Sequence, residues 1–351
     1  MDAYDVLRHT AESEEPAVLA TVIGVEGHAY RKSGAMMLLL VNGGKVGSIS
    51  PGCLESDLSE RVPIVLESGE PEIVHYNMKP EEDIVWGETV GCGGKLRILL
   101  EPVAGELRMT LREAYRHMEA GEAVRLVRRG AEPALCYALE AAGGNAAIGA
   151  SSAGGDATES FYAVRLEPRP RLVMFGAGQD LDPIFAAAGR IGFRLAVADW
   201  RAGLLSADRF PGAELVSGTA AEIAAKLRLS SADYVIVCGH QLRKDREMLE
   251  MLLPIKPAYV GVMGSSSRIR LLFKGLSMPA FVHAPVGLAI GADGPEEIAI
   301  SIAAELIVER RLLQRLGGAD EDEREDRGYL FSGWTEPKDG QAEAGSRACS
   351  R

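Results

Sequence analysis

Two cysteines in the first half of the chain lie in glycine-rich turns, where a thiol could contact a ligand or a partner. Cys53 lies in the segment SPGCLE, and Cys92 lies in the segment GCGGK. Glycine leaves the backbone bare, so a ligand can approach such turns closely. A thiolate is a soft ligand for a transition metal and can also relay sulfur. The pattern favours a functional role for both cysteines over the alternative, a small core residue in each turn.

The surroundings of Cys53 differ from those of the remaining cysteines. Cys53 is predicted to begin a helix, whose N-terminal dipole favours an anionic sulfur. Cys136 and Cys238 lie inside apolar strands, and Cys349 lies near the C-terminus. The five cysteines contain no CxxC pair, so neither a disulfide framework nor a zinc finger is indicated.

A second set of candidate residues follows a strand in the second half of the chain, in the segment GAG. Gly176 and Gly178 permit a tight turn before a helix, whose N-terminus would favour a phosphate. Asp199 ends the next strand, about where an acid binds the ribose in dinucleotide-binding folds. Leu181 occupies the third glycine position and acids crowd the helix start, which weakens the signal. The alternative is that the glycines serve the turn alone and that Asp199 caps a helix.

Polar residues also follow the two strands predicted further along the chain. His240 follows the segment VIVCG, and Gly264, Ser265 and Arg268 lie in the segment GSSSR, which opens a helix. Open α/β sheets bind ligands at the carboxyl ends of their strands, and amides, hydroxyls and an arginine suit an anion. We therefore expect Asp199, His240 and Ser265 to converge on one crevice. Helix capping by Ser265 and a surface position for His240 are the alternatives.

The apolar segments predict the elements that must position these residues. In the second half, continuous apolar strands alternate with helices, which predicts a Rossmann-like, doubly wound parallel sheet. In the first half we expect a mixed α/β domain with a hairpin at Asn42 and Gly43 and a small antiparallel meander. The predicted fold is therefore α/β, and its predicted parts are an N-terminal domain, a Rossmann-like domain and an acidic, disordered tail, at residues 1–167, 168–318 and 319–351.

Charge and composition exclude several classes of protein. Of the 351 residues 47% are hydrophobic, and the formal charge is −12, which indicates a globular protein without broad electrostatic binding to nucleic acid or anionic membranes. The tail contains nine acidic and five basic residues and thus contributes −4. The N-terminus lacks the pattern of a signal peptide, and no apolar run is long enough to cross a membrane, so we expect a cytoplasmic protein. No histidine spacing indicates a metal site.

Together these motifs resemble the XdhC/CoxI family, the accessory factors of xanthine dehydrogenase and related molybdenum hydroxylases. In the first half the resemblance rests on GSISPGCLE and CGGKLRILLEP, and on Arg31 in the loop before them. In the second half it rests on FGAGQDLDP, ADWR, CGHQLRKD and YVGVMGSSSR. The match extends from about Tyr4 to Leu313, and so many ordered motifs are more specific than one glycine motif. Pro51 departs from the family pattern, which has a glycine there.

The resemblance implies a carrier rather than an enzyme. Such a protein binds the molybdenum cofactor (molybdopterin), supports its sulfuration with a cysteine desulfurase and delivers it to the apo-hydroxylase, commonly as a homodimer. Cys53 and Cys92 would act on the sulfur or the metal, in a cleft between the two domains. The cofactor-binding residues would be Arg31, Gly52, Glu55, Gly93 and Gly94 in the first domain, and Gly176, Gly178, Asp199, His240, Gly264, Ser265 and Arg268 in the second.

The main alternative is an NAD(P)-dependent oxidoreductase that uses the predicted crevice. NAD(P) or another nucleotide would bind at Gly176, and His240 would be the proton donor beside the nicotinamide. The missing third glycine and the acids after Gly178 weaken this alternative. A third interpretation is a module that regulates a partner protein and whose cysteines are purely structural.

Overall fold

The computed structural model describes most of both predicted domains. The described residues are 3–78, 94–131, 134–142, 147–148 and 160–316. Cys92, Gly93, Cys349 and the predicted tail 319–351 lie outside them. Within the described residues, no helix has the length and apolar character needed to span a membrane.

The first half of the chain is built on two antiparallel sheets. The larger sheet has the strand order β3-β2-β1-β5-β4, with β1 at Ala17–Glu26, β2 at Met36–Leu40, β3 at Lys45–Gly47, β4 at Glu72–Asn77 and β5 at Lys95–Pro102. The smaller sheet has the order β8-β7-β6-β9, with β6 at Val124–Ala131, β7 at Ala134–Ala141, β8 at Ala147–Ile148 and β9 at Ser160–Leu166. The smaller sheet is antiparallel as predicted, but the predicted meander is wrong, because β9 pairs with β6 rather than with β7. The hairpin of β2 and β3 confirms the predicted turn at Asn42 and Gly43.

Within the described part of the first half, three helices pack on the larger sheet, namely α1 at Ala3–Glu12, α2 at Cys53–Ser68 and α3 at Gly105–Glu119. Alternate residues of β1 point to opposite faces of the sheet. Val18 packs in a core with α2, whereas Leu19 packs in a second core with α1, α3 and the smaller sheet. This burial on both faces explains why β1 is a continuous apolar segment. Helix α2 continues through the exposed Pro63, since Leu58, Val62 and Val65 anchor it to the sheet on both sides of the proline.

The second half contains one parallel sheet with the strand order β12-β11-β10-β13-β14-β15. The strand bounds are Arg171–Phe175 for β10, Arg194–Asp199 for β11, Glu214–Ser217 for β12, Tyr234–Val237 for β13, Tyr259–Val262 for β14 and Val282–His283 for β15. Numbered within this half, the order is 3-2-1-4-5-6, which is that of a Rossmann fold. The predicted doubly wound sheet is confirmed.

Helices cover both faces of the parallel sheet. One face packs against α4 at Leu181–Arg190 and α8 at Gly294–Leu316. The other packs against α5 at Ala220–Lys226, α6 at Leu242–Ile255 and α7 at Ser266–Leu272, and a 3₁₀ turn spans Ala202–Leu204. The strand order reverses between β10 and β13, so the loops that follow these two strands flank the switch point where such sheets bind ligands.

A short linker joins the two halves. Strand β9 ends at Leu166 and β10 begins at Arg171. Within the linker, Arg169 Nη2 donates to Asp5 Oδ1 at 2.8 Å, and the Arg169 guanidinium lies 3.9 Å from the centre of the Tyr4 ring. The predicted boundary between residues 167 and 168 falls in this linker, which is thus tied to α1.

Candidate functional site

The cysteine turn, residues 50–55, places Cys53 as the first residue of α2. Gly52 has a φ of 127°, a conformation that suits glycine. A Cβ added at Gly52 would meet no atom of the described residues within 4 Å, so with respect to this part of the chain the turn faces open space. Cys53 is partly exposed and also packs against the core that includes Leu54 and Leu58. A ligand can therefore reach the backbone of this turn beside a cysteine that is not fully buried.

Buried polar contacts hold the cysteine turn from behind. Glu55 is 4% exposed and Ser50 is 6% exposed. Glu55 Oε1 accepts hydrogen bonds from the amides of Ser50 at 2.7 Å and Ile49 at 3.3 Å, and Oε2 accepts one from the Ser50 hydroxyl. Ser50 Oγ accepts from the amides of Gly52 and Leu54, both at 3.2 Å. The Glu55 carboxylate is thus engaged by the backbone and the hydroxyl of the preceding residues. A contact between Glu55 and a cofactor stays a prediction.

The turn carries a buried negative charge beside its thiol. Burial alone would raise the pKa of Glu55, but hydrogen bonds from the Ser50 side chain and from nearby amides lower that pKa below its ordinary value. Cys53 Sγ lies 3.5 Å from Ser50 Oγ. Sequence reasoning missed Ser50, although a serine before a helix and an acid in its first turn are a capping signal.

The other predicted residues of the first domain lie on a loop and at the start of β5. Arg31 belongs to the loop between β1 and β2, and Ala29 and Ala35 on that loop pack against the same core as Cys53. A Cβ at Gly94 would overlap the carbonyl oxygen of His28 on this loop, so the close approach requires glycine. The structure thereby joins the Arg31 loop, the cysteine turn and Gly94 through one core. Cys92 and Gly93 precede Gly94 but lie outside the described residues.

The second set of predicted residues meets in a crevice, formed by the loops after β10, β11, β13 and β14. Gly176 has a φ of 114°, and a Cβ there would collide with the backbone of Gly239. His240 Nε2 lies 2.6 Å from Asp180 Oδ2, so a bond between side chains connects the loops after β10 and β13. The His240 ring also lies beside Gly178, within 3.7 Å of a Cβ added there.

Asp199 lies in the crevice with both carboxylate oxygens engaged. Its side chain is 0% exposed. Oδ2 accepts from the Ala177 amide at 2.7 Å and from Arg201 Nη2 at 2.8 Å, while Oδ1 accepts from the amide and Nε of Arg201 at 2.7 and 2.9 Å. Burial would raise the pKa of Asp199, but the bonds from Arg201 and Ala177 lower it below its ordinary value. A ribose contact at Asp199 stays a prediction, and such a contact would have to displace one of these bonds.

His240 is half-exposed and forms an ion pair with Asp180. The hydrogen bond to Asp180 raises the pKa of His240, and the same bond lowers the pKa of Asp180. His240 also has a left-handed backbone, with a φ of 57°. The pair therefore favours a cationic imidazole beside the glycine loop.

Ser265 and Arg268 are engaged within the loop after β14 and the start of α7. Ser265 Oγ accepts from the Arg268 amide at 3.3 Å, which is the capping role raised as an alternative. Arg268 Nη2 donates to Asp245 Oδ2, and a Cβ at Gly264 would lie 2.7 Å from Arg268 Cδ. Asp245 is fully buried, and this burial raises its pKa although Arg268 opposes the shift.

Three residues of the crevice had not been predicted. Arg201 pairs with Asp199, Asp245 pairs with Arg268, and Arg209 Nη1 donates to the carbonyl oxygen of Ala177 at 2.8 Å. Arg201 lies two residues after Asp199, whereas the bonds of Asp245 and Arg209 join segments that are distant in the sequence, so no spacing rule identifies the latter two. Among the described residues, no group of three histidine, cysteine or acidic side chains could hold a metal ion.

Known protein families match both halves of the chain. Residues 10–77 match the model of the XdhC and CoxI family, and residues 172–306 match the model of the XdhC Rossmann domain. The first match includes Arg31, Cys53 and the whole cysteine turn. The second begins in β10 and includes every strand-end loop of the crevice.

Individual relatives align with most of this chain. A Bacillus subtilis protein, named as a probable xanthine dehydrogenase subunit, is 32% identical over 325 residues, which cover 88% of this chain and 97% of that protein. The Escherichia coli molybdenum cofactor insertion chaperone PaoD is 23% identical over 317 residues, which cover 87% of this chain and 88% of that protein. A Bacillus halodurans crystal structure, described as that of a xanthine dehydrogenase, matches with a TM-score of 0.81 and 36% identity over 89% of this chain and 96% of that one.

Proposed function

The chain belongs to the XdhC and CoxI family, and we propose that it binds the molybdenum cofactor, supports its sulfuration and delivers it to xanthine dehydrogenase or a related molybdenum hydroxylase. Two relatives support this proposal by their names, one as a probable component of xanthine dehydrogenase and the other as a molybdenum cofactor insertion chaperone. The observation that carries it is the cysteine turn, which presents a partly exposed thiol beside bare backbone. Because the proposed function is delivery to another protein, the cofactor is cargo rather than a resident group.

The donor set of the first domain suits this cargo. Cys53 offers a soft sulfur ligand for molybdenum or an acceptor for transferred sulfur. The start of α2 and the guanidinium of Arg31 offer positive charge for the phosphate of a pterin cofactor. We propose that Cys92, Gly93 and Gly94 complete this site, and that Gly52 admits the cargo to the backbone.

We further propose the partners and the setting of this transfer. An apo-hydroxylase would receive the cofactor, and a cysteine desulfurase would supply the sulfur. The chain would act as a cytoplasmic homodimer, with the cysteine turn and the crevice facing each other across a cleft. The name of the Bacillus subtilis relative supports the hydroxylase as partner.

An NAD(P)-dependent oxidoreductase is the second candidate function. The Rossmann strand order and the close approach at Gly176 favour a nucleotide in the crevice. The engaged carboxylate of Asp199 and the ion pair of His240 oppose it, because binding would have to break them. Oxidation of NADH that depends on a small-molecule substrate would favour this candidate over the carrier.

Co-purification tests the proposed function. The full chain is purified from a host that makes the molybdenum cofactor, and bound molybdenum and pterin are measured for the wild type, Cys53→Ala and Cys136→Ala. Cys136 is an exposed cysteine of β7 and serves as the matched control. We expect cofactor on the wild type and on the control, and about tenfold less on Cys53→Ala, because a direct ligand is lost. Wild-type protein without molybdenum and pterin would contradict the proposal.

A further inference from the structure

Helix α8 has two apolar faces. One face packs on the parallel sheet and includes Ile302 and Leu306, which are buried. The other face carries Ile300, which is 61% exposed, and Ile307 and Val308, which are each 38% exposed. A surface helix of a globular domain ordinarily has one apolar stripe, and that stripe faces the core. The fold of the second half therefore accounts for the first face, and the second face needs another explanation.

The composition of the second face has no local reason. β-branched side chains lose rotamer freedom in a helix, so isoleucine and valine favour a helix less than leucine or alanine does. The solvent side of α6 shows the ordinary pattern, in which Arg243 pairs with Glu247 and Arg246 pairs with Glu250. Contiguous exposed apolar side chains mark places where another molecule binds. The contrast between the two helices indicates that the second face of α8 is such a place.

The order of residues along the second face is self-complementary. At helical spacing the face consists of Glu297, Ile300, Ala304, Val308 and Arg311, separated by three, four, four and three residues. Glu297 and Arg311, at its two ends, are both exposed. In an antiparallel copy of α8 that is paired about Ala304, Glu297 of each copy would face Arg311 of the other. Ile300 of each copy would likewise face Val308 of the other.

The face leaves room for a second helix. Its midpoint, Ala304, has a small and partly exposed side chain, so two helix axes can approach to the lower end of the usual range of about 8–10 Å. A groove of about 460 Å³ lies beside the face, between α4 and α8. Its apolar lining includes Pro183, Ala186, Ala187 and Ile300, and charged residues of both signs complete it. The groove can therefore accept apolar side chains of a neighbouring helix.

We propose that two copies of this chain pair through the second face of α8, antiparallel and about a two-fold axis at Ala304. A two-fold interface brings the same patch of both copies together, so the patch must match its own reverse order. The face meets this requirement in its charges and in its apolar residues, which a different partner protein would not demand. The inference rests on the homodimer of the proposed function and adds the surface that forms it.

Sedimentation of the full-length, cargo-free protein tests whether the face joins two copies. The face from residue 297 to residue 311 is only about 21 Å long, so the measurement covers concentrations from about 1 to 100 µM. We expect a dimer for the wild type. In Ile307→Glu a charge would be buried without a partner in the interface, and we expect the dissociation constant to rise about 100-fold or more.

Met109→Glu is the matched control, because Met109 is 65% exposed on α3, in the other half of the chain. We expect this variant to dimerise like the wild type, and thermal unfolding checks that both variants are folded. A wild type that stays monomeric at about 100 µM would overturn the inference. So would an Ile307→Glu variant that dimerises as the wild type does, or a monomeric wild type that binds an apo-hydroxylase through Ile307.

Cysteine crosslinking tests the register of the two helices. The proposed axis brings the two copies of residue 304 together, so we expect Ala304→Cys to form a disulfide between copies under mild oxidation with diamide. Val308→Cys is the matched control, since its two copies would lie about 12 Å apart along the helices, too far for a disulfide. Peptide mass spectrometry identifies the crosslinked residues. Absence of the 304–304 crosslink, or an equally fast 308–308 crosslink, would overturn the antiparallel pairing.

The outcome is separable from that of the co-purification experiment. Dimerisation is measured without cargo, whereas the proposed function is tested by the molybdenum and pterin content of the purified protein. A wild type without cofactor can still form the α8 dimer, in which case the carrier role fails and the interface stands. A monomeric wild type that carries molybdenum and pterin would overturn the interface and leave the carrier role in place.

Discussion

The cysteine turn and the crevice use the same device and differ in what they leave available. In each, a buried carboxylate binds backbone amides of a neighbouring turn. Glu55 of α2 binds those of Ile49 and Ser50, and Asp199 at the end of β11 binds that of Ala177 in the loop after β10. In the cysteine turn the carboxylate points inward and leaves a partly exposed thiol in front of it. In the crevice, by contrast, the charged side chains are paired with one another.

These pairs change what the crevice residues can do. Asp199 pairs with Arg201, and Asp180 pairs with His240. Arg268 pairs with the buried Asp245. A charged ligand would have to break or share these pairs, whereas a ligand of the cysteine turn meets a partly exposed cysteine beside the open backbone of Gly52. Residue type therefore marks a place where chemistry could occur, and pairing decides whether the residue is available.

The largest effect on stability is expected from Asp199→Ala, which tests whether the crevice is held by its own ion pairs. The variant leaves the Ala177 amide and the Arg201 guanidinium without their acceptor. We expect the free energy of unfolding to fall by about 3 kcal/mol, at the lower end for a buried pair because Arg201 is partly exposed. Urea unfolding, followed by the fluorescence of the neighbouring Trp200, measures this loss.

The exposed Asp208 provides the control for this variant, and Asp208→Ala should leave the unfolding midpoint unchanged. If Asp199→Ala were as stable as the wild type, the carboxylate would be free to serve a ligand, and the contrast between the two regions would fail. Unchanged cofactor content in the folded Asp199→Ala variant would strengthen the contrast instead.

A smaller loss of stability is expected from Glu55→Ala in the cysteine turn. The amides of Ile49 and Ser50 and the Ser50 hydroxyl lose their shared acceptor. Because the turn lies next to solvent and the hydroxyl can rotate, we expect a decrease of about 2 kcal/mol in the free energy of unfolding. Thermal unfolding against Glu60→Ala, an exposed acid of the same helix, measures it. A stability loss larger than that of Asp199→Ala would reverse the order proposed for the two regions.

The smallest effect is expected from the His240–Asp180 pair, and it depends on pH. The folded protein raises the pKa of His240. The contribution of His240 to the free energy of unfolding is therefore complete below the pKa of an unfolded histidine, and it is lost as the pH rises through the pKa of His240 in the folded protein. The lowered pKa of Asp180 makes its contribution present above the pKa of an unfolded aspartate and lost in acid. The pair therefore stabilises most between about pH 4 and pH 6.5.

Both side chains are partly exposed, so the stabilisation is well under about 1 kcal/mol. We expect His240→Gln to lower the melting temperature slightly near pH 6 and to match the wild type near pH 9. His75→Gln, at an exposed position of β4, should show no such pH-dependent difference. A His240→Gln effect that grew towards alkaline pH would contradict the ion pair.

Several parts of the fold followed from local patterns. The alternation of apolar strands and helices in the second half predicted the parallel sheet, and the Asn42-Gly43 turn predicted the hairpin of β2 and β3. These predictions succeeded because periodicity and turn geometry depend on neighbouring residues. Proline disfavours a helix interior, yet α2 continues through Pro63 because packing of Leu58 and Val65 outweighs this local preference.

The candidate site was predictable to a smaller extent. The glycine turns around Cys53 and Gly176 were identified because glycine marks backbone that few other residues can adopt. The inward direction of the Glu55 side chain and the role of Ser50 were not predicted, since both depend on how the turn folds back on itself. Asp199 was expected to face a ribose, and the structure surrounds it with Arg201 and Ala177.

Residue types and short spacings were enough to establish the mixed α/β first half, the Rossmann sheet and the places where backbone is bare. That Glu55 lies behind Cys53, and that the acids of the crevice neutralise its cations, became visible only in the folded chain. A hydrogen bond such as that between Asp245 of α6 and Arg268 of α7 exists only when separate helices pack together. Whether a charged side chain is available to a ligand or already engaged is therefore set by tertiary packing.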